Sequence, residues 1–455
     1  MPDLTESDLL PRQKCQEIML AVEAAAYRHG VRDVEILLSA SDESLTRFAN
    51  NAIHQNVSER GVSLSVRTII GDRTARATTN RLHRDGISAA VDEAIALTRA
   101  ADPTPDLQRL YESSEPADVS RWSKAGASCT PAERAAGVAE AIHVVESLGQ
   151  TAAGIYATAQ SVETILNSRG LFRYYADTLT TFSVTAMAGD SSGWAKATSA
   201  SHEEIRPVEL AKRAARKARE SDHPLELPPG AYTVILEPAA VLDLVGQIFG
   251  DFSGTAMEDQ RSFLNERLGE KLFGDNITVC DDCHFPLQTG APFDGEGVPR
   301  SVLTLIRRGV PQQVAYSREA AARAGVDPTG HGYPIPNEVG EAPINIVIAG
   351  GKSSLDEMIA GTENGILVTR FWYIREVEPR AKVMTGMTRD GTFLVRNGEI
   401  AGGLRNFRFN QSVTEMLRNV ECLAASERAS GEEAFDMVVP AMKVHGFRFT
   451  EVTKF

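Results

Sequence analysis

A zinc hydrolase built on a helix needs two histidines about one turn apart, with a glutamate beside the first to activate the metal-bound water. The nine histidines here are His29, His54, His83, His143, His202, His223, His284, His331 and His445, and no two lie closer than 21 residues. His202-Glu203 opens like such a motif, but Arg206 and Pro207 stand where the second imidazole belongs. Only a site assembled from distant histidines stays open. Cys280-Asp-Asp-Cys283-His284 has the spacing of a c-type haem attachment or of half a zinc site. No second cysteine pair completes it, so the two thiols read as structural. Gly350-Gly-Lys-Ser-Ser354 resembles the end of a phosphate loop, yet position 346, where the first glycine is needed, is Ile346. Ser354 with Glu357 fits a capping box at a helix start instead. His331, in the turn-rich run Pro328-Thr-Gly-His-Gly-Tyr-Pro-Ile-Pro336, is the one candidate catalytic base, although no nucleophile can be paired with it and a loop histidine bonded to backbone fits equally. No bound metal and no cofactor are expected.

These residues sit in an α+β pattern. Apolar spacing predicts helices from Gln13 to His29, Ser88 to Ala100, Ala132 to Leu148 and Pro207 to Glu220. Between the first two, Asp33–Ser39, Ser44–Asn50, Ile53–Val57, Gly61–Arg67 and Arg73–Thr78 alternate like short strands, divided at Asn50-Asn51, Glu59-Arg60-Gly61 and Gly71-Asp72. Alternation returns between Gly154 and Ala186, and the irregular stretch from Pro103 to Pro131 reads as loop or lid. Lys212, Arg213, Arg216, Lys217 and Arg219 read as the solvated face of the fourth helix. Three prolines in Ser221–Gly230 mark an extended linker. The chain therefore divides into residues 1–221 and 222–455, each with a largely antiparallel sheet and flanking helices. The second half opens with the strand Tyr232–Leu236 and a helix begun by Pro238, and strands then predominate.

Composition narrows the partners. With 42% apolar residues in 455, the chain can bury sizeable cores without disulfides or metal staples. Lys plus Arg number 47 against 61 Asp plus Glu, and a net charge of -14 disfavours nucleic acid and anionic membrane surfaces. No run approaches the ~20 apolar residues of a membrane span. The segment Met1–Lys14 lacks the basic start and apolar core of a secretory signal, and five scattered cysteines suit a reducing compartment. A cytoplasmic location is expected.

The order of several segments carries a resemblance. Ser44-Leu-Thr-Arg-Phe-Ala-Asn-Asn51 with Gly61–Arg67, then Asn167-Ser-Arg-Gly170, Pro292-Phe-Asp-Gly-Glu-Gly297, Thr329-Gly-His331, Gly365–Thr369, Val395-Arg-Asn-Gly-Glu-Ile400 and Asn406-Phe-Arg-Phe-Asn410 together resemble the TldD/PmbA family, metallopeptidase-related proteins also described as modulators of DNA gyrase. The resemblance implies two domains and a two-subunit cytosolic metallopeptidase, in which one subunit carries His-Glu-x-x-x-His and the PmbA/TldE type keeps the fold without the metal ligands. The corresponding place here, Tyr232 to Phe252, contains Glu237-Pro-Ala-Ala-Val-Leu-Asp-Leu-Val245 and no histidine. Cys422 is the only late cysteine, and without a histidine pair the family's cysteine-ligand role does not carry over to it. The implied function is that of a non-catalytic subunit, partnered by a motif-bearing TldD-like chain and acting on peptides, leader peptides among them, or small amides. The alternative is an independent homodimeric hydrolase, possibly in secondary metabolism, with a non-zinc site.

Overall fold

The computed structural model describes residues 7–112, 119 and 121–453. Its first lobe repeats one unit twice. Helix α1 (Arg12–Arg28), strands β1 (Asp33–Ala49), β2 (Ala52–Ile70) and β3 (Arg73–Thr79) and helix α2 (Arg84–Ala100) form the first copy. After the short helix α3 (Lys124–Ser128), the second copy is α4 (Pro131–Ser147), β4 (Thr151–Asn167), β5 (Phe172–Ala188), β6 (Ser191–Ser199) and α5 (Pro207–Glu220). The copies join through antiparallel pairing of β1 with β4, giving one sheet in the order β3-β2-β1-β4-β5-β6.

Register decides what each face meets, because successive side chains of a strand point to opposite faces. Val34, Ile36 and Leu38 of β1 lie on the face of Val162 and Leu166 of β4, and this face packs on α1 and α2. Phe48, Tyr156, Phe182 and Val184 continue it under α4 and α5. All four long helices thus cover one face. The odd-numbered residues, among them Leu37, Ser39, Glu163, Ile165, Tyr175 and Asp177, are left for the second lobe.

The strands are longer than the sequence suggests. Asn50 and Asn51 do turn the chain, with φ of 51° and 58°, the left-handed values a two-residue hairpin requires. Glu59-Arg60-Gly61 does not interrupt β2: Arg60 lies opposite Asp42 and its Nε donates to Asp42 Oδ2 at 2.6 Å. Cross-strand pairing overrides the local turn chemistry. Part of the expected lid between Pro103 and Pro131 lies outside the described residues; the rest includes α3, and Arg121 donates to the carbonyls of Cys283 (3.2 Å) and Phe285 (3.0 Å) in the second lobe. The proline-rich linker is extended but pinned, since Leu225 N–H donates to Gly403 O at 2.8 Å and Arg405 N–H to Leu225 O at 2.9 Å.

The second lobe comprises β7 (Gly230–Leu236), α6 (Pro238–Val245), α7 (Gly254–Glu258), β8 (Val279–Asp281), β9 (Leu303–Arg307), β10 (Val310–Pro311), α8 (Arg318–Ala324), β11 (Ile346–Ile348), α9 (Leu355–Ala360), β12 (Asn364–Glu378), β13 (Val383–Arg396), β14 (Glu399–Gly403), β15 (Phe407–Ser412), α10 (Val413–Arg418), β16 (Val420–Leu423), β17 (Glu427–Ala429), β18 (Met437–Val439) and β19 (Met442–Val452). Strands β12, β7, β19, β15 and β13 pair in that order and β13 returns to β12, closing a ring. Phe371, Phe407, Phe409, Phe447 and Phe449 are buried against one another in its core, with centroid spacings of 4.7 to 5.7 Å between neighbouring rings. The ring is therefore a filled core and not a channel. A second sheet, β10-β9-β8-β11-β18-β17, supports the loops that meet the first lobe. The whole is α+β, with mostly antiparallel sheets and flanking helices.

Candidate functional site

Between the uncovered face of the first sheet and the loops of the second lobe lies a cavity of about 500 Å³. Its sheet wall presents Ser39, Glu163, Tyr175 and Asp177, and its loop wall presents Asp294, Arg300, His331 and Tyr333. Two of the loop segments singled out in the sequence are bonded to each other here. Gly295 N–H donates to Gly332 O at 2.9 Å, and Gly332 N–H donates to Asp294 Oδ2 at 2.7 Å. Asp294 Oδ1 also accepts the amides of Glu296 and Val298, both at 2.9 Å, so one buried carboxylate shapes the turn. The Asn167 turn works across the lobes: its Oδ1 accepts Arg169 N–H (2.9 Å) and Leu171 N–H (3.2 Å), and Leu171 packs with Ile165, Tyr175 and Phe293. Tyr175 donates its hydroxyl to Thr289 O at 2.6 Å, fixing the loop wall to the sheet.

His331 is buried within this wall. Its Nδ1 is 2.9 Å from Thr329 Oγ1, and its Nε2 is 3.2 Å from Asp281 Oδ1, close enough for strong electrostatic contact although off the best hydrogen-bond direction. Burial alone would raise the Asp281 carboxyl. Its contacts with His331, the charge of Arg300 and the Asn345 amide outweigh that and hold it below the ordinary carboxylate range. Asp281 Oδ2 additionally accepts Ile344 N–H at 2.7 Å and Asn345 N–H at 2.8 Å. The Thr329 hydroxyl is engaged as well, accepting Tyr316 N–H at 2.8 Å. Both ring nitrogens of His331 thus face protein groups, an arrangement that orders a loop.

The free polar chemistry of the cavity lies on the sheet. Glu163 is reached through the cavity, and burial followed by the nearby Asp177 pushes its carboxyl upward. Burial also raises Asp177, against its hydrogen bond from Ser161 directly across the strand pair. Glu296, behind the loop wall, is pushed up to about 8 by burial and by Asp294. Sequence reasoning missed these acids. The available signal was polar residues at alternate positions of a strand, which ordinarily marks a solvated face.

The other expected sites lie elsewhere. Cys280 and Cys283 are free thiols pushed up to about 11 by burial. Ser354 and Glu357 form a capping box on α9. Lys217, expected on a solvated face, is instead buried and paired with Glu237 at 2.7 Å, because α5 turns that side toward the second lobe. In the segment from Tyr232 to Phe252, Ala240 to Val245 of α6 are all buried. Asp243, pushed up to about 6 by burial, accepts the amides of Glu432 (3.1 Å) and Glu433 (3.0 Å). Cys422 packs beside an apolar cluster containing Met358 and Phe393. Among the described residues, neither of the two groups of three potential ligands falls in this segment.

Family models match the chain along three consecutive stretches: residues 34–98 match PmbA/TldA metallopeptidase domain 1, residues 115–221 the central domain and residues 229–451 the C-terminal domain. The chain belongs to the PmbA/TldD family. Within it, a metalloprotease of Methanothermobacter thermautotrophicus is 26% identical over 351 residues, covering 72% of each chain. A metalloprotease PmbA homologue of Haemophilus influenzae is 22% identical over 408 residues, covering 84% of this chain and 86% of the relative. In fold, the chain is similar to TldE of Thermococcus kodakarensis, with a TM-score of 0.85 at 19% identity over 96% of this chain and 99% of that one. A Thermotoga maritima protein described as a candidate modulator of a DNA gyrase gives the same TM-score at 20% identity, over 96% of this chain and 100% of that one. For the PmbA/TldD family's metal, the donor set at Tyr232–Phe252 does not fit: the segment offers the Glu237 carboxylate, already paired with Lys217, the inward-facing Asp243, and Asp251, whose carboxylate is 2.5 Å from Lys382. No described helix is long and apolar enough to cross a membrane.

Proposed function

We propose that this chain is the metal-free subunit of a two-subunit PmbA/TldD-type peptidase of the cytoplasm, walling a space that holds a peptide or small amide while a partner bearing His-Glu-x-x-x-His performs hydrolysis. The observation that carries this reading is the makeup of Tyr232–Phe252, which has no histidine or cysteine and whose three carboxylates each make a structural contact. Residues 1–221 and 222–455 act as its two domains, with the partner facing the second. A strand edge can hold an extended peptide through main-chain hydrogen bonds and leave the chemistry to the facing subunit. In the same reading His331 is a positioning residue for the Asp281 loop.

The alternative, an independent homodimeric hydrolase with a non-zinc site, would draw on the row Asp281, His331 and Thr329. The commitment of the Thr329 hydroxyl to Tyr316 weighs against it. Co-expression with a motif-bearing homologue of the same genome tests the proposal. The pair should co-elute in size-exclusion chromatography, bury more than about 1,000 Å², and cleave peptides only together. Failure to co-elute, with cleavage by this chain alone, would establish the independent enzyme.

A further inference from the structure

His202 begins a short 3-10 turn after β6, far in sequence from Cys129 and Glu133 at the start of α4. The fold brings the three together. Ser123 N–H donates to Thr178 Oγ1 at 2.9 Å, and that hydroxyl donates to Ala200 O at 2.7 Å, tying the approach to α3 to the end of β6. Gly126 permits the contact, since a Cβ there would lie 2.1 Å from Ala200 O. Arg134 then holds the Cys129 carbonyl through Nη1 at 3.1 Å. As a result Cys129 Sγ, a Glu133 carboxylate oxygen and a His202 ring nitrogen all lie within 4.8 Å of one another.

His202 and Glu133 are each oriented by a contact that leaves a second atom for the cluster. His202 Nδ1 is 2.9 Å from Ala125 O, which makes it the protonated nitrogen and leaves Nε2, 4.0 Å from Glu133 Oε1, with the lone pair. Glu133 Oε2 accepts both the amide and the hydroxyl of Thr130 at 2.7 Å, leaving Oε1 for the cluster. The Cys129 thiol makes a long contact of 3.9 Å to Thr130 O and also lies against the Arg134 guanidinium. A histidine fixed through its second nitrogen by a carbonyl, and a carboxylate held by its other oxygen, are the outer contacts that metal ligands usually show.

We propose that Cys129, Glu133 and His202 form a binding site for a zinc-class divalent cation, separate from the position of the family motif. Thiolate, imidazole and carboxylate are the ligand types zinc selects, and three protein ligands with water in the fourth position complete a tetrahedron. The two anionic ligands face the cation, with the Arg134 guanidinium also close to both. Binding releases one proton from the thiol to solvent. Glu133 is half exposed, so the ion enters from solvent, and once bound it joins α4 to the segment after β6.

The test is a titration of the untagged full-length chain, stripped with chelator, with cobalt(II) as the spectroscopic stand-in. One equivalent should produce an intense thiolate-to-cobalt charge-transfer band. C129S should abolish the band, H202A should weaken binding by at least about tenfold, the scale that changes around a metal site already reach, and C280S/C283S should leave it unchanged. Zinc should also slow alkylation of Cys129 in the unmodified chain, read by mass spectrometry, which requires no variant to fold. Absence of a charge-transfer band, or a band that survives in C129S, overturns the site.

Discussion

The ammonium of Lys217, on the last helix of the first lobe, lies 2.7 Å from the carboxylate of Glu237, the residue that precedes the first helix of the second. Both side chains are largely buried, and burial lowers the Lys217 ammonium against the favourable charge of Glu237. The pair joins the two lobes where the chain passes from β7 into α6.

Removing one partner of such a pair strands the other charge. K217A should therefore cost about 3 kcal/mol, read as a lowered calorimetric melting temperature. The double variant K217M/E237L should cost clearly less, because no charge is left buried. Equal losses in both variants would show that packing around the aliphatic stem, and not the ion pair, sets the energy.

Glu296 predicts a pH dependence. Its folded value near 8, raised by burial and then by Asp294, exceeds its ordinary 4.5, so the folded protein holds a proton that the unfolded chain releases between these values. The contribution to stability is complete below pH 4.5 and is lost as pH rises through 8. E296Q keeps an acceptor for Arg318 N–H, which Glu296 Oε2 accepts at 2.8 Å, and removes the titration. Relative to the parent it should match near pH 4 and gain stability progressively toward pH 8, at about 1.4 kcal/mol per pH unit. A difference in melting temperature that does not vary with pH would refute this.

Cys280 and Cys283 should be unreactive and dispensable. Both are free, and burial pushes both thiols up to about 11, so little thiolate is present at neutral pH. Alkylation of the folded chain at pH 7.5 should label neither quickly, and C280S/C283S should lose no more than about 2 kcal/mol of stability. A disulfide between them in freshly isolated protein, or a bound chromophore lost in the double variant, would contradict the assignment.

Asp243 offers a fourth test, within the buried helix α6. D243A should cost about 2 to 3 kcal/mol, because the buried amides of Glu432 and Glu433 lose their acceptor. D243N keeps an oxygen for them and should cost less than half as much. If D243A proves neutral in thermal unfolding, the residue does not anchor that loop.

Much of this protein is readable from its residues. The apolar spacing that marks α1, α2, α4 and α5 and the turn at Asn50-Asn51 are local properties, and so is the capping box of Ser354 with Glu357, because helix spacing, left-handed turns and caps are set by neighbours in the chain. Continuity of β2 through Glu59-Arg60-Gly61 was not local, for it depends on Asp42 lying opposite Arg60. Burial of Lys217 depends on which side α5 turns to a lobe joined after it. Glu163 and Asp177 read as solvated strand positions until the second lobe covers that face, and His202 reads as a failed motif until Gly126 lets two distant segments touch. Short-range geometry is written in the sequence as spacing, whereas contacts between segments far apart in sequence exist only once register, lobe packing and close backbone approach have brought them together.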